Sequence, residues 1–260
     1  MSIDIHFKTT GQGKDLVILH GLFGSGRNWQ NIARHLSRHH RVFTLDLRNH
    51  GQSGHADSMS YSAMVEDLKN FLQQQSLTRV KLIGHSMGGK VAMTFAMNYE
   101  SQVESLIVVD IAPVNYEHEF DHLIDAMLAL DLSSLANRQQ ADAMLQSQIP
   151  DAGLRLFLLQ NLVAHEGSFR WRINLPAIKR SLADISDFPG VEPASQYQGP
   201  SLFLRGEKSG YVLPEHHQAL FSMFPNAKVS TVEGAGHWPH AEQPTLTLAA
   251  IESFLHSEKK

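Results

Sequence analysis

KLIGHSMGGK, residues 81 to 90, decides the fold of this chain. An apolar run leads into Gly84-His85-Ser86-Met87-Gly88, which matches the pattern G-x-S-x-G. A strand that turns sharply into a helix needs glycine on both sides of the serine, because side chains there would collide. The pattern therefore predicts a buried strand, a tight turn and a helix, with the serine hydroxyl raised above the end of the strand as a nucleophile. A chance match in a glycine-containing loop is the alternative.

A serine nucleophile needs a general base, and two histidines near the C-terminus are candidates. His237 lies in the glycine-rich stretch EGAGHWPHAEQP, directly after the last predicted strand, whereas His240 is closer to the helix that follows. We therefore expect His237 to be the base and His240 to pack structurally.

The oxyanion of the transition state needs two backbone N–H donors. One follows the nucleophile and belongs to Met87. The second is expected in the stretch LHGLFGSG, from Leu22, with Phe23 as the rival donor. We also expect contacts to the substrate from Phe23, His85 and Trp238, which are the sequence neighbours of Leu22, Ser86 and His237.

Strand-like and helix-like segments alternate along the first half of the chain. The strand-like runs are residues 3–7, 15–20, 41–46, 79–84 and 104–110. This alternation predicts a parallel sheet covered by helices on both faces. No strand is predicted from about 113 to 195, where apolar residues recur at helical spacing, and strands resume at 200–206 and 227–234. We therefore predict a core of residues 1–112 and 196–260, with a helical cap inserted over residues 113–195.

Four motifs, in chain order, carry a resemblance to a known family: HGLFGSGRNW, DLRNHGQSG, GHSMGG and GAGHWPHAEQP. Together they resemble the α/β-hydrolase superfamily over essentially the whole chain. RNHGQS, GHSMGGK, VVDIAPVNY and FRWRINLPAI are further similar to the branch that holds the bacterial esterase YbfF and abhydrolase domain-containing protein 11. The resemblance implies a sheet of the eight-stranded type that lacks its first strand, a helical cap, and Ser-Asp-His esterase or thioesterase chemistry.

The acid that orients the histidine has two candidates. Most of the superfamily places it after the strand that here reads SLFLRG, but the loop GEKSGYV has Ser209 at the usual position and offers only Glu207. Asp110 ends the apolar strand LIVVD, where a partly buried carboxylate needs a donor such as a histidine N–H. The resemblance likewise implies an acid on this earlier strand, with the serine in its hydrogen-bond network. We predict Asp110 as the acid and Ser209 as an auxiliary; Glu207 is the alternative, and a turn cap is the structural interpretation of Asp110.

Composition excludes several classes of function. The 260 residues are 42% hydrophobic and 18% charged, which is typical of a globular protein. A formal charge of -4 disfavours nucleic acid and anionic membranes as partners. Without cysteine, disulfides, thiolate metal sites and a cysteine nucleophile are excluded. The N-terminus lacks a signal-peptide pattern and no apolar stretch is long enough to span a bilayer, so we expect a cytoplasmic protein.

One stretch resembles a metal site. HEFDH, residues 118–122, matches the zinc-protease pattern H-E-x-x-H. A chain with 16 histidines produces such matches by chance, and no third ligand stands out. We predict neither a metal nor a cofactor.

The combined prediction is a serine hydrolase of carboxylic esters or acyl thioesters. The elbow serine also permits carbon–carbon bond hydrolases and haloperoxidase-like enzymes, whereas dehalogenases and epoxide hydrolases need a carboxylate at that position. A non-catalytic ligand-binding protein of the same fold is a further alternative. Acyl length, ester or thioester preference and oligomeric state stay open. The apolar cap residues expected around an acyl pocket are Leu123, Met127, Leu156, Phe157, Leu158 and Leu162.

Overall fold

The fold centres on a twisted sheet, seen in a computed structural model that describes residues 2–117, 120–189 and 195–257. The strands are β1 Phe7–Thr10, β2 Lys14–Leu19, β3 His40–Leu45, β4 Val80–His85, β5 Val103–Val109, β6 Leu162–His165, β7 Ser168–Trp171, β8 Ser201–Gly206 and β9 Ala227–Val232. Seven of them form one sheet in the order β1-β3-β2-β4-β5-β8-β9. Only β1 pairs antiparallel with its neighbour in this sheet; the other pairs are parallel.

Helices cover both faces of this sheet. They are α1 Gln30–Leu36, α2 Tyr61–Gln74, α3 Met87–Asn98, α4 Asp121–Leu128, α5 Arg138–Leu145, α6 Ala152–Leu159, α7 Leu175–Arg180, α8 Leu182–Ser186, α9 His217–Met223, α10 Pro239–Glu242 and α11 Pro244–Ser257. Short 3-10 helices span Gly26–Trp29, Glu100–Gln102, Leu132–Ser134 and Pro214–His216. The mostly parallel sheet with flanking helices, predicted from sequence, is confirmed.

Alternating side chains on the central strands supply an apolar core on each face. In β2, Val17 and Leu19 pack with residues of α2 and α3, whereas Leu16 and Ile18 pack with residues of α1 and α11. β4 is buried along its whole length, as its nearly continuous apolar sequence predicts for a strand covered on both sides. The sheet therefore holds the end of β4, and the serine that follows it, in a rigid position.

The segment predicted as a cap, residues 113–195, contains α4 to α8, and it also contains a hairpin that was not predicted from sequence. β6 and β7 pair antiparallel across a two-residue turn in which Glu166 and Gly167 both have positive φ, 47° and 80°. That geometry suits a tight hairpin turn. The prediction of a strandless insertion is therefore wrong. The helical spacing of residues 153–165 holds only to the end of α6, because the last four residues of that run form β6.

The first predicted strand is also misplaced. Residues 3–6 form no strand, and β1 begins at Phe7. The amide of Ile3 donates to Asp67 Oδ1 at 3.1 Å, and the amide of His6 donates to Ser53 Oγ at 2.8 Å. Side chains thus accept from backbone donors that a regular ladder would have used.

Candidate active site

The turn between β4 and α3 has the predicted elbow geometry. Ser86 has φ 51° and ψ -121°, a conformation that is strained for a residue with a side chain. A Cβ on Gly84 would lie 2.3 Å from Gly88 O, and one on Gly88 would lie 2.4 Å from His20 O. Both positions therefore accept only glycine, which explains the pattern in the sequence.

Ser86, His237 and Asp110 come together at the carboxyl edge of the sheet. His237 Nε2 lies 3.1 Å from Ser86 Oγ, and His237 Nδ1 lies 2.8 Å from Asp110 Oδ2. The His237 side chain is 17% exposed, whereas that of Asp110 is fully buried. With Nδ1 donating to the carboxylate, Nε2 is free to accept the serine proton, which is the arrangement of a nucleophile, a base and an orienting acid.

Asp110, rather than Glu207, contacts the histidine. Asp110 follows β5 with φ 54°, and its carboxylate accepts three donors: His237 Nδ1–H, the Ser209 hydroxyl at 2.5 Å and the Gly206 amide at 2.7 Å. Glu207 instead accepts from the Gly234 amide at 2.8 Å. A buried carboxylate is tolerated when several donors satisfy it, and Ser209, the predicted auxiliary, is one of these donors.

The rival histidine, His240, packs inside the protein. Its ring stacks on Trp29 with centroids 4.3 Å apart and an interplanar angle of 9°. Burial first, and then the neighbouring His237, lower the pKa of His240 to about 3, so the ring is neutral at ordinary pH. The structure therefore brings His237 to the serine and leaves His240 in a structural position.

His85, predicted as a substrate contact, directs its Nε2 atom toward the loop that carries His237. Its Nε2–H donates to the backbone carbonyl of His237 at 2.7 Å. Burial first, and then the nearby His240 and His237, hold the pKa of His85 well below its usual range. A neutral His85 thus links the elbow directly to the segment that carries the base. Sequence alone gave no sign of this link, since the residue before the serine is variable in G-x-S-x-G.

Two further buried histidines shape the loop opposite the serine. His50 Nε2 accepts the Phe23 amide at 3.1 Å, so Phe23 is not available as an oxyanion donor. His20 Nε2 accepts the Leu47 amide at 2.9 Å, and its Nδ1–H donates to Gly21 O at 2.7 Å. Burial lowers the pKa of both rings, that of His50 to about 3. The contacts of His20 were not predicted from sequence, although its position directly before the loop glycine was a usable signal.

Among the described residues, no hydrogen-bond acceptor is found for the amide of either predicted oxyanion donor. Met87 is the first residue of α3, so its amide has no intrahelical partner. In the part of the chain that the structure describes, the Leu22 amide donates no hydrogen bond. Both residues line a cavity that also contains Ser86. The geometry is therefore that of a site with two free donors near the nucleophile.

A cavity of about 180 Å³ opens beside the serine, mostly apolar in its lining. The three residues predicted to contact the substrate, Phe23, His85 and Trp238, line it, and so do Leu123 and Phe157. Of the other predicted pocket residues, Met127, Leu158 and Leu162 are fully buried, and Leu156 is 63% exposed. The described residues around this cavity are Leu22, Phe23, His85, Ser86, Phe120, Leu123, Leu154, Phe157, Tyr211, His237 and Trp238.

Metal binding finds no support in the described residues. No three His, Asp or Glu side chains of residues 2–117, 120–189 and 195–257 are grouped so as to hold a metal ion. His118 and Glu119 of the H-E-x-x-H match lie outside the described residues, and His122 is exposed on α4.

Among the helices of residues 2–117, 120–189 and 195–257, none is both long and apolar enough to cross a membrane.

The family follows from this fold and site together with comparison to known proteins. A family model described as the alpha/beta hydrolase fold matches residues 15–244, and the chain belongs to that family. It is 46% identical to the sn-1-specific diacylglycerol lipase ABHD11 of Xenopus laevis over 253 residues, 94% of this chain and 80% of that protein. It is 36% identical to the esterase YbfF of Escherichia coli over 242 residues, 93% of this chain and 92% of that protein.

A solved structure, a marine microorganism esterase, matches with a TM-score of 0.94 at 40% identity and covers 97% of this chain and 100% of that chain. The predicted branch of the superfamily is therefore confirmed. The chain is a hydrolase enzyme whose relatives are named esterases and lipases, which indicates small-molecule ester substrates.

Proposed function

We propose that this hydrolase cleaves carboxylic esters or acyl thioesters through an acyl-enzyme on Ser86. The observation that carries the proposal is the hydrogen-bonded chain from Ser86 through His237 to Asp110. His237 is the general base, and Asp110 orients its ring and stabilises the imidazolium that forms. Ser209 assists by holding the Asp110 carboxylate.

The reaction has two halves with the same proton carrier. Ser86 Oγ attacks the acyl carbon while its proton moves to His237 Nε2, and the Leu22 and Met87 amides bind the oxyanion. The imidazolium then protonates the leaving oxygen or sulfur as the acyl–leaving-group bond breaks. Water attacks the acyl-enzyme next, giving one proton to His237 and its oxygen to the acyl carbon. That proton returns to Ser86 Oγ as the carboxylic acid leaves.

Oxygen esters and thioesters are both consistent with the site. The nucleophile and the oxyanion donors act on the acyl carbon, which the two substrate classes share. Named esterases and a diacylglycerol lipase among the relatives support ester hydrolysis. The apolar cavity of about 180 Å³ supports a substrate with a hydrophobic portion.

Removing the nucleophile tests the proposal. Ser86→Ala is expected to lower kcat for p-nitrophenyl esters by at least about 10⁴-fold, because no acyl-enzyme can form. Steady-state kinetics gives kcat, and mass spectrometry after treatment with a fluorophosphonate shows whether position 86 is labelled.

Ser105→Ala is the matched control. This serine is buried in β5, and its hydroxyl has no hydrogen-bond partner among the described residues. Its loss is expected to leave turnover and labelling as in the unchanged protein. Retained turnover in a folded Ser86→Ala protein, judged by circular dichroism, would refute the proposal.

A further inference from the structure

A second, smaller cavity adjoins Ser86. Its volume is about 40 Å³, against about 180 Å³ for the larger cavity, so it suits a short chain rather than a long one. Leu22, Ser86 and Met87 line it together with Lys90 and Ser186, and the larger cavity shares Leu22 and Ser86 with it. Of the described residues, His237 lines the larger cavity and not this one.

Lys90 contributes a buried side chain to the lining of this cavity. It lies one helical turn after Ser86 on α3 and is 2% exposed. Its Nζ donates to the carbonyls of Ser186 at 2.5 Å and Asp187 at 3.1 Å, and it lies 4.8 Å from the centroid of the Tyr116 ring. Among residues 2–117, 120–189 and 195–257, no carboxylate forms an ion pair with it.

A buried cation without an anionic partner is unusual, because desolvation disfavours the charge. Burial lowers the pKa of Lys90 to about 7, while the nearby Asp187 carboxylate acts in the opposite direction. An ammonium has three N–H donors, and the described carbonyls accept two of them. A bound anion at the third donor would therefore favour the charged form.

Ser186 gives a second, independent sign of a missing polar ligand. The residue lines the same cavity and is 6% exposed. Its hydroxyl is buried and has no hydrogen-bond partner among the described residues. Buried hydroxyls are normally satisfied, so a donor that is left over beside an ammonium indicates a place for an acceptor. Glu117, the one acid in the described lining, is exposed.

The position of the histidine assigns each cavity to one part of the substrate. His237 must protonate the leaving atom, so the leaving group lies on its side, in the larger apolar cavity. The acyl chain then extends to the opposite side of the acyl carbon, toward Lys90. A small cavity that ends in a cation fits a short chain with a negative end rather than a long hydrocarbon.

We propose that the small cavity is an acyl subsite for short dicarboxylic half-esters, in which the Lys90 ammonium and the Ser186 hydroxyl bind the free carboxylate. This inference rests on the proposed serine hydrolase function and adds a substrate class to it. The subsite selects acyl groups by charge and length, whereas the larger cavity selects leaving groups by their apolar surface.

The test compares monoethyl succinate with ethyl succinamate, which replaces the free carboxylate by a neutral amide of the same shape. The measured quantity is kcat/KM for ethanol release, and the ratio of anion to amide isolates recognition of the charge. We expect the unchanged protein to favour the anion at least about tenfold, since a hydrogen bond to a charged group is stronger than one to a neutral group. Lys90→Met is expected to remove that preference, and Ser186→Ala to reduce it severalfold.

Lys81→Met is the matched control, because Lys81 is equally buried but lies near the start of β4, paired with Glu104 at 3.2 Å. It should leave the ratio unchanged. A ratio of one or less in the unchanged protein overturns the subsite, as does an equal loss on both esters in Lys90→Met. If Lys90→Met does not fold, the anion-to-amide ratio is compared between the unchanged protein and Ser186→Ala, and an equal ratio in the two overturns the subsite. Fluorophosphonate labelling of Ser86 without turnover of monoethyl succinate overturns the subsite alone; no labelling and no turnover refute the serine hydrolase itself.

Discussion

At the scale of single residues, the site depends on a carboxylate whose environment the sequence only partly reveals. Asp110 adopts φ 54° at the end of β5, and three donors fix its orientation. The oxygen that accepts from His237 also accepts from Ser209 at 2.5 Å. The serine therefore contributes to the position of the imidazole without touching the substrate.

Ser209→Ala is expected to lower kcat for p-nitrophenyl esters by about tenfold with little change in KM. The lost hydrogen bond leaves the Asp110 carboxylate with fewer fixed contacts. This carboxylate stabilises the imidazolium, which forms in the transition state and not in the enzyme–substrate complex, so kcat changes and KM does not. Steady-state kinetics on the purified variant measures both constants.

Glu207→Gln serves as the comparison, because Glu207 bonds the Gly234 amide and not the histidine. It should keep kcat within about threefold of the unchanged protein, whereas Asp110→Asn should lose about 10⁴-fold. The opposite order, with Glu207→Gln inactive and Asp110→Asn active, would show that the acid has been assigned to the wrong strand.

At the scale of elements, the elbow and the buried central strand could be predicted from sequence, whereas the short hairpin β6–β7 could not. The elbow was predictable because glycine is forced on both sides of Ser86, and β4 because it is buried along its length. The hairpin β6–β7 was not, since its strands have four residues each and its turn is Glu-Gly rather than Asn-Gly or Asp-Gly. The triad acid needed a family resemblance, because two carboxylates followed neighbouring strands.

Gly84→Ala is expected to destabilise the β4–α3 unit by about 3 kcal/mol. The new methyl group would lie 2.3 Å from Gly88 O and 2.7 Å from Gly89 Cα, so the backbone of the turn must move. Urea unfolding followed by circular dichroism gives the change in midpoint.

Gly153→Ala, within α6, is the matched substitution. A Cβ there meets only Asp151 Oδ1 at 3.3 Å, and alanine is the better helix former, so the free energy of unfolding should stay within about 1 kcal/mol. Equal midpoints for the two variants would contradict the packing argument for the elbow.

At the scale of the whole molecule, buried neutral histidines couple the site to stability. His20, His50, His85 and His240 are all buried, and burial is the largest cause of the lowered pKa of each. His50 and His240 have a pKa of about 3 in the folded protein. In the unfolded chain a histidine takes up a proton near pH 6.5, so below that pH the unfolded state binds more protons.

The free energy of unfolding is therefore expected to fall as the pH drops below about 6.5, and to continue falling toward pH 3. Each such histidine contributes about 1.4 kcal/mol per pH unit below pH 6.5. About one such unit lies between pH 7.5 and pH 5.5, so His50 and His240 together account for about 3 kcal/mol over that interval. Urea midpoints at the two pH values measure the difference.

His240→Phe separates this effect from general acid sensitivity. Phenylalanine can keep the stack on Trp29 but takes up no proton, so the loss of stability between the two pH values should shrink by about 1.4 kcal/mol. An unchanged pH dependence in this variant, or none in the parent protein, would contradict the assignment of neutral buried histidines.

Residues of the predicted cap form hydrogen bonds with the parts of the core near the proposed oxyanion donors. On one side, Asn161 Nδ2 donates to Phe23 O at 2.8 Å, next to the Leu22 donor. On the other, Lys90 holds the Ser186 carbonyl, and the Tyr61 hydroxyl donates to Ile185 O at 2.7 Å. Each buried bond costs about 1 to 3 kcal/mol to break without replacement. A large displacement of residues 113–195 would break these hydrogen bonds and disturb the residues around Ser86. Opening the site to substrate and losing the geometry needed for catalysis are therefore thermodynamically coupled.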